Sequence, residues 1–233
     1  MLIHRISTSA AVVMITVMLF LLSGCGGDKE PAGSGQAPSA PAAAAVEGVI
    51  VAVGDSLTAG YGLSEEAAYP ALLERRLRDA GYPFKVINAG ISGETSSGTR
   101  SRIDWIMTLT PDIVILETGA NDGLRGIDPA LTRENVDAIV AELNRRGVVV
   151  VLAGMKMVKN MGPAFTVAFE EIYPAVARTR NVILVPFFLE GVAGDQTLNQ
   201  SDGIHPTAKG YEKVVDVVLP YAIEAIERFR RKH

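Results

Sequence analysis

The feature that most constrains this chain is an alternation, from Gly48 onward, of short β-branched runs with segments of helical periodicity. Such alternation is typical of βαβ units and a mainly parallel sheet, and near-continuous apolar runs indicate strands buried on both faces. The candidate strands are residues 49–53 (VIVAV), 84–88 (FKVIN), 112–117 (DIVILE), 148–153 (VVVVLA) and 182–186 (VILVP). The pattern predicts an α/β fold, a three-layer α/β/α sandwich around a five-stranded, mainly parallel sheet.

Three segments around these strands predict helices. The first ends at Gly81, a residue suited to the position just past a helix. The second begins at Asp128-Pro129, an N-cap followed by proline, and ends at Gly147. The third opens at Pro206 and is kinked at Pro220. The inward apolar positions of the three are Tyr69, Leu72, Leu73 and Leu77; Val136, Ile139, Val140 and Leu143; and Tyr211, Val214, Val215, Val218 and Leu219.

A serine follows the first strand in the segment Gly54-Asp55-Ser56. Ligands of open α/β sheets bind outside the carboxyl ends of the strands, so Ser56 is well placed for chemistry. A serine hydroxyl is a weak nucleophile and needs a neighbouring base to take its proton.

The choice of base is narrow because the chain has three histidines. His4 lies in the N-terminal apolar segment and His233 is the last residue, which leaves His205. Asp202 lies three residues before it, so one loop presents both side chains, and a carboxylate on one imidazole nitrogen fixes the tautomer. The alternative interpretation of this segment is a simple turn before a helix.

Two further segments follow strands and offer donors for the oxyanion of a tetrahedral intermediate. Residues 88–95 (NAGISGET) follow the second strand and offer backbone N–H groups, and Asn121 follows the third strand and offers its side-chain amide. Each segment alone is also compatible with an ordinary strand-to-helix turn. Their convergence with Ser56 and His205 favours a site.

Together these segments resemble the SGNH, or GDSL, hydrolase superfamily, and most closely its branch of acyl-CoA thioesterase I, lysophospholipase L1 and bacterial arylesterases. The four blocks, in the family's order, are GDSLTAGYG at 54–62, NAGISGET at 88–95, ETGANDGLRG at 117–126 and DGIHPTAKGY at 202–211. The resemblance implies a flavodoxin-like fold. The chain departs from close relatives at Gly90, where they often have Ser, and at Ala120, where they commonly have Gly.

The resemblance also implies a role for each site residue. Ser56 is the expected nucleophile and, through its N–H, the first oxyanion donor. Gly93 is the expected second donor through its backbone, and Asn121 the third through its side chain. His205 is the expected base, oriented by Asp202.

The implied reaction is hydrolysis of a carboxylic ester or thioester through an acyl-Ser56 intermediate, with no cofactor and a small-molecule acyl substrate. In the resembling branch, the segment after the fourth strand borders the acyl groove, so Met155, Met157 and Met161 are candidate substrate contacts. The other interpretation is a loop that packs its methionines into the domain.

Two rival functions belong to other classes. One is a carbohydrate O-deacetylase, a reaction of other branches of the superfamily. The other is a catalytically silent envelope lipoprotein that uses the fold for binding, although the intact Ser56, Asn121, Asp202 and His205 argue against it. The serine context lacks the Gly-x-Ser-x-Gly elbow, and no His or Cys spacing indicates a metal site.

The N-terminal segment predicts export and lipidation. Residues 1–24 have the layout of a secretory signal peptide, and the sequence around Cys25 resembles the bacterial lipobox. Because Cys25 is the only cysteine, it forms no internal disulfide and is the expected lipid attachment site. The alternative interpretations are an uncleaved membrane anchor and a soluble periplasmic protein with an incidental cysteine. Residues 25–46, rich in Gly, Ala, Pro and Ser, predict a flexible tether, and residues 47–233 the hydrolase domain.

These features place the protein in the bacterial envelope, held at the membrane through its N-terminal lipid. Gly26 rather than Asp follows Cys25, which favours the periplasmic face of the outer membrane. The net charge of -4 provides no general basic field, so nucleic-acid binding is not expected.

Overall fold

The computed structural model describes residues 45–157 and 161–232. Its centre is a sheet of five parallel strands: β1 (Gly48–Gly54), β2 (Phe84–Gly90), β3 (Ile113–Glu117), β4 (Val149–Ala153) and β5 (Ile183–Val185). Their order across the sheet is β2-β1-β3-β4-β5. Each strand lies within two residues of the segment predicted from its apolar run, so the α/β fold and the five-stranded sheet are confirmed.

Helices cover both faces of the sheet. Those within the described residues are α1 (Ser56–Ala59), α2 (Tyr69–Asp79), α3 (Ser96–Ser101), α4 (Ile103–Thr108), α5 (Ala120–Leu124), α6 (Pro129–Arg145), α7 (Pro163–Glu170), α8 (Ile172–Arg180) and α9 (Ala208–Arg230). Helices α2 and α9 pack together in one layer, and α3, α6 and α8 pack together in the other. All residues of β3 and β4 are buried between these layers, as expected of a parallel sheet.

The predicted helix signals act as expected in α2 and α6. The Asp128 side chain accepts a hydrogen bond from the Ala130 N–H, and Pro129 is the first residue of α6. Gly81 and Gly147 both have positive φ angles immediately after their helices, a conformation that suits glycine.

The start of the last helix was predicted wrongly. Pro206 does not open it but bridges to Asn199 in an antiparallel pair. Helix α9 begins two residues later, because the Thr207 hydroxyl caps it by accepting from the Gly210 N–H at 3.2 Å. The helix then continues through Pro220 to Arg230.

The register of the parallel strands determines where the site forms. Gly54 at the end of β1 pairs with Gly90 at the end of β2, and Val53 pairs with Leu116 near the end of β3. The segments that follow these three strands therefore leave the sheet side by side at its carboxyl edge. No helix within residues 45–157 or 161–232 is long and apolar enough to cross a membrane. The predicted signal segment and Cys25 lie outside the described residues.

Candidate active site

Ser56 is the first residue of α1 and follows Asp55, the residue that links β1 to this helix. Asp55 caps α1 by accepting a hydrogen bond from the Leu57 N–H at 3.0 Å, which places Ser56 in the first turn of the helix. The buried Tyr211 hydroxyl donates to the Leu57 carbonyl oxygen at 2.8 Å and connects this turn to α9. The turn ends at Gly60, which has a φ of 78° and whose added Cβ would lie 2.5 Å from the Ala68 Cβ.

A continuous line of hydrogen bonds joins Ser56 to the loop that carries His205. The Nε2 atom of His205 lies 2.9 Å from the Ser56 Oγ, and its Nδ1 atom lies 2.7 Å from Asp202 Oδ2. A carboxylate accepts a proton but does not donate one, so Nδ1 carries the hydrogen and the Nε2 lone pair faces the serine. This arrangement allows the imidazole to take the proton of Ser56.

The Asp202 carboxylate also shapes its own loop. Its Oδ1 accepts from the backbone N–H groups of His205 at 3.0 Å and Ile204 at 2.9 Å. These two bonds, and then the bond from the imidazole, lower the pKa of Asp202 to about 2. The carboxylate is therefore ionised, and the same group sets both the backbone of the loop and the orientation of the imidazole.

Gln200 connects this loop to the serine side of the site. Its Nε2 donates to the Tyr61 carbonyl oxygen at 2.8 Å and to the Pro206 carbonyl oxygen at 3.0 Å. The Tyr61 ring then lies beside the imidazole of His205, with ring centroids 4.7 Å apart. Gln200 is not recognisable from the sequence, since a single glutamine between loop residues has no distinctive pattern.

A cavity of about 190 Å³ opens beside Ser56, and its lining includes Gly93, Asn121 and His205. The structure thus brings together all five residues predicted for the catalytic group and the oxyanion site. Within the part of the chain that the structure describes, the backbone N–H groups of Ser56 and Gly93 have no hydrogen-bond partner. Both are therefore able to donate to an oxyanion.

The side-chain amide of Asn121, the expected third oxyanion donor, already makes two hydrogen bonds within the protein. Its Nδ2 donates to Asp55 Oδ2 and to the Glu94 carbonyl oxygen, each at 3.0 Å. Because an amide nitrogen has two hydrogens, an oxyanion has to share or displace one of these acceptors. Arg125 holds the neighbouring carbonyl, since its Nη2 donates to the Gly93 oxygen at 2.9 Å.

The three methionines do not line this cavity. Met155 is buried in the hydrophobic core. Met157 packs against α5, where a Cβ added to Gly123 would overlap its sulfur, and Met161 is an exposed residue near Gly126. The lining of the cavity beside Ser56 therefore does not support the prediction that these methionines contact substrate. In the sheet, β3 lies between β1 and β4, so the segment that follows β4 begins two strands away from the end of β1.

Apolar side chains from three other segments line the cavity instead: Tyr61 after α1, Leu124 at the end of α5 and Ile204 in the loop before His205. They are 53%, 47% and 44% exposed. Each lies within one of the four motif blocks, so a search for apolar residues in these blocks would have found them. No group of three or more His, Cys, Asp or Glu side chains in the described ranges is placed to hold a metal ion.

Comparisons with known proteins agree with this geometry. Residues 52–213 match the model of the GDSL-like lipase/acylhydrolase family. The chain is 41% identical over 172 residues to esterase TesA of Pseudomonas aeruginosa, a match that covers 73% of this chain and 86% of that protein. It is 35% identical over 174 residues to thioesterase 1/protease 1/lysophospholipase L1 of Escherichia coli K12, covering 74% and 82%.

A solved structure shares both the sequence and the fold. The SGNH-hydrolase family esterase AlinE4 is 43% identical and superposes with a TM-score of 0.65. The match covers 76% of this chain and 95% of that one.

Proposed function

We propose that this chain, which belongs to the GDSL-like lipase/acylhydrolase family, is a lipid-anchored envelope esterase of broad acyl specificity. The chain is a serine esterase that acts on small-molecule esters. The proposal concerns the roles of its residues, the class of acyl group, and its cellular location. The observation that carries it is the line of hydrogen bonds from Asp202 through His205 to Ser56 at the mouth of the cavity.

The reaction proceeds by acyl transfer to the serine. The Ser56 Oγ attacks the ester carbonyl while His205 Nε2 takes its proton, and Asp202 stabilises the imidazolium. The N–H groups of Ser56 and Gly93, with the amide of Asn121, stabilise the oxyanion. His205 then donates the proton to the leaving alcohol or thiol. Water, activated by His205, releases the acid and restores the serine.

The cavity favours short-to-medium acyl groups and small aryl esters. It is about 190 Å³ in volume and opens directly to solvent between exposed apolar side chains, so it does not enclose a single ligand. Each added methylene that is removed from water contributes up to ~0.8 kcal/mol until the apolar surface is covered. The names of the relatives, esterase, arylesterase, thioesterase and lysophospholipase, support this breadth.

A series of p-nitrophenyl esters from acetate to palmitate tests the substrate class. The purified full-length chain, kept in detergent, is assayed beside Ser56→Ala, with an acyl-CoA and a lysophospholipid as further substrates. We expect rates to rise from acetate to at least butyrate. Activity confined to acetate would remove the broad acyl specificity and favour a carbohydrate deacetylase, which acetylated polysaccharide then tests directly.

A fluorophosphonate probe tests the nucleophile separately. We expect covalent labelling of the wild-type chain and none of Ser56→Ala. Absence of labelling in the folded wild-type chain would instead support the silent binding lipoprotein.

The anchor rests on the sequence of the N-terminal segment. Cys25 is the only cysteine and follows an apolar run and small residues. If it carries lipid, Cys25→Ser abolishes incorporation of labelled fatty acid and leaves the precursor unprocessed. Fractionation of the envelope then tests the outer-membrane location, and labelling that survives this substitution contradicts the anchor.

A further inference from the structure

Glu117 is a fully buried carboxyl group that the reaction above does not use. It is the last residue of β3 and has no exposed surface. Its Oε2 accepts a hydrogen bond from the Thr58 hydroxyl at 2.9 Å and lies 3.3 Å from the Asp55 N–H. These two partners lie on either side of Ser56 in the chain. Glu117 therefore supports residues 55–58, the nucleophile turn, from the buried side.

The fold leaves room for this carboxyl group by having glycine at position 54. A Cβ added to Gly54 would lie 2.5 Å from Glu117 Oε2 and 2.5 Å from the Glu117 carbonyl oxygen. Such contacts are shorter than real Cβ atoms make. The absence of a side chain at Gly54 is therefore what gives the Glu117 carboxyl group its space.

Glu117 differs from the other buried glutamate beside the site. Glu94 forms an ion pair with Arg102, whose Nη2 and Nε donate to its carboxylate at 2.7–2.9 Å. No cationic side chain among the described residues pairs with Glu117, and its Oε1 has no partner there. A buried charge without a partner is costly, so the two glutamates call for different protonation states.

Asp55 is the better location for a negative charge in this pair. Its Oδ1 accepts from the Leu57 N–H and its Oδ2 from the Asn121 amide, so both of its oxygens have donors. Burial raises the pKa of Glu117 well above its usual range, and the Asp55 charge raises it further. Burial raises the pKa of Asp55 too, but hydrogen bonds from Leu57 and Asn121 oppose that rise.

Three further titratable groups among the described residues lie near Glu117, the hydroxyls of Tyr69, Tyr173 and Tyr211. Burial raises the pKa of each, and a charge on Glu117 would raise them further. These phenols stay neutral, so they supply no charge that would compensate an ionised Glu117.

We propose that Glu117 is a positioning residue that works as an uncharged acid, supporting the turn around Ser56 and leaving the negative charge of the Asp55–Glu117 pair on Asp55. This inference rests on the proposed function, because it acts through Ser56 and Asn121. Asp55 needs its charge to hold the Asn121 amide at the oxyanion site. A second negative charge on Glu117 would repel the Asp55 carboxylate and weaken its hydrogen bond with the Asn121 amide.

Substitutions that separate charge from shape test the proposal. Glu117→Gln keeps the volume and an uncharged polar group, whereas Glu117→Ala removes the support. We expect Glu117→Ala to lower kcat by roughly 10- to 100-fold with KM little changed, because the nucleophile turn shifts. Glu117→Gln should restore kcat to within about 3-fold of wild type. A Gln variant as impaired as the Ala variant at every pH would overturn the proposal.

Stability against pH gives a readout that needs no turnover. A group whose pKa is raised on folding contributes fully below its unfolded pKa and destabilises the fold as pH rises towards the folded value. Glu117→Gln lacks this penalty, so its Tm should rise relative to wild type as pH increases above about 4.3, the usual pKa of a glutamate. Glu94→Gln is the matched control and should be less stable than wild type, because it leaves Arg102 unpaired.

Infrared spectroscopy reports the proton itself. The difference spectrum between wild type and Glu117→Gln at neutral pH should contain the carbonyl stretch of a protonated carboxylic acid. If that band is absent, or if the Tm difference does not change with pH, Glu117 is ionised and the proposal is wrong. Both measurements repeated on the Ser56→Ala background remain informative even if the esterase assignment fails.

Discussion

The two sides of the catalytic group are supported in different ways. On the serine side, Asp55, Thr58 and Glu117 are buried at the carboxyl edge of the sheet and bond to one another. On the base side, the Asp202 side chain is 38% exposed, and its bonds are confined to Ile204 and His205. The serine side therefore depends on buried polar groups at the sheet edge, and the base side depends on a partly exposed loop.

Because of this difference, activity and stability should be coupled on the serine side and largely independent on the base side. Substitutions beneath Ser56 affect buried polar groups, whose loss of partners destabilises the fold as well as the site. Substitutions in the Asp202 loop affect groups that water can reach, so they change catalysis with little effect on folding. Variants on the two sides should therefore differ in how strongly a loss of activity is accompanied by a loss of stability.

Removing either reacting side chain should have the largest effect. We expect Ser56→Ala and His205→Ala each to lower kcat by roughly 10⁴- to 10⁶-fold, since the two groups act as one unit. For the same reason, the double variant should be no slower than the single ones. Steady-state assays with a p-nitrophenyl ester measure this, with circular dichroism to verify the fold. Near-normal turnover in either single variant would contradict the mechanism.

Asn121, on the serine side, should contribute both to catalysis and to stability. We expect Asn121→Ala to lower kcat by about 10²- to 10³-fold through loss of an oxyanion donor. It should also lower the free energy of unfolding by about 1–3 kcal/mol, because Asp55 Oδ2 and the Glu94 carbonyl oxygen lose their donor. Urea denaturation provides the second measurement. Full stability combined with a large loss of kcat would show that the Asn121 bonds do not support the fold.

Asp202 tests the exposed side. We expect Asp202→Asn to lower kcat by roughly 10- to 100-fold, less than a buried partner would, because solvent partly replaces the charge. The pKa of Asp202 is lowered from 3.8 to about 2, so its stabilising contribution is present above its usual value and is lost as pH falls through about 2. The difference in free energy of unfolding between wild type and Asp202→Asn, measured by urea denaturation, should therefore decrease as pH falls from about 4 to about 2. A difference that does not change over this range would mean that folding does not lower the pKa of Asp202.

Gln200 connects the two sides and should have the smallest effect. Its Nε2 bonds to the Tyr61 and Pro206 carbonyl oxygens lie outside the reacting line. We expect Gln200→Ala to lower kcat by roughly 3- to 10-fold, since His205 is aimed less accurately at Ser56. Gln200→Glu is the matched control and should be similarly impaired, because a carboxylate accepts but cannot donate to these carbonyls. Wild-type activity in both variants would show that the loop needs no connection to the serine turn.

Much of the site could be predicted because its residues lie in short local patterns. Ser56, Asn121 and the Asp202–His205 pair each follow or precede recognisable turns, and parallel strands bring their carboxyl ends to one edge. The role of the three methionines stays a prediction, because nearness in the chain to β4 does not determine which segments meet across the sheet. The helices α3, α4, α7 and α8 were not identified, since they are short and their segments carry no long apolar periodicity.

The amino-acid sequence by itself determined the strands, the layered α/β fold, the family and the five residues of the expected catalytic group, because these depend on local periodicity and on motifs. The packing of distant segments decided which apolar side chains line the cavity, that both amide hydrogens of Asn121 are engaged, and that no cation in the described ranges pairs with Glu117 beneath Ser56. In the sequence, Glu117 is simply the end of an apolar strand. Its surroundings depend on which groups from β1, α1 and the nearby helices pack around it, so neither its burial nor the lack of a cationic partner among the described residues can be read from the sequence.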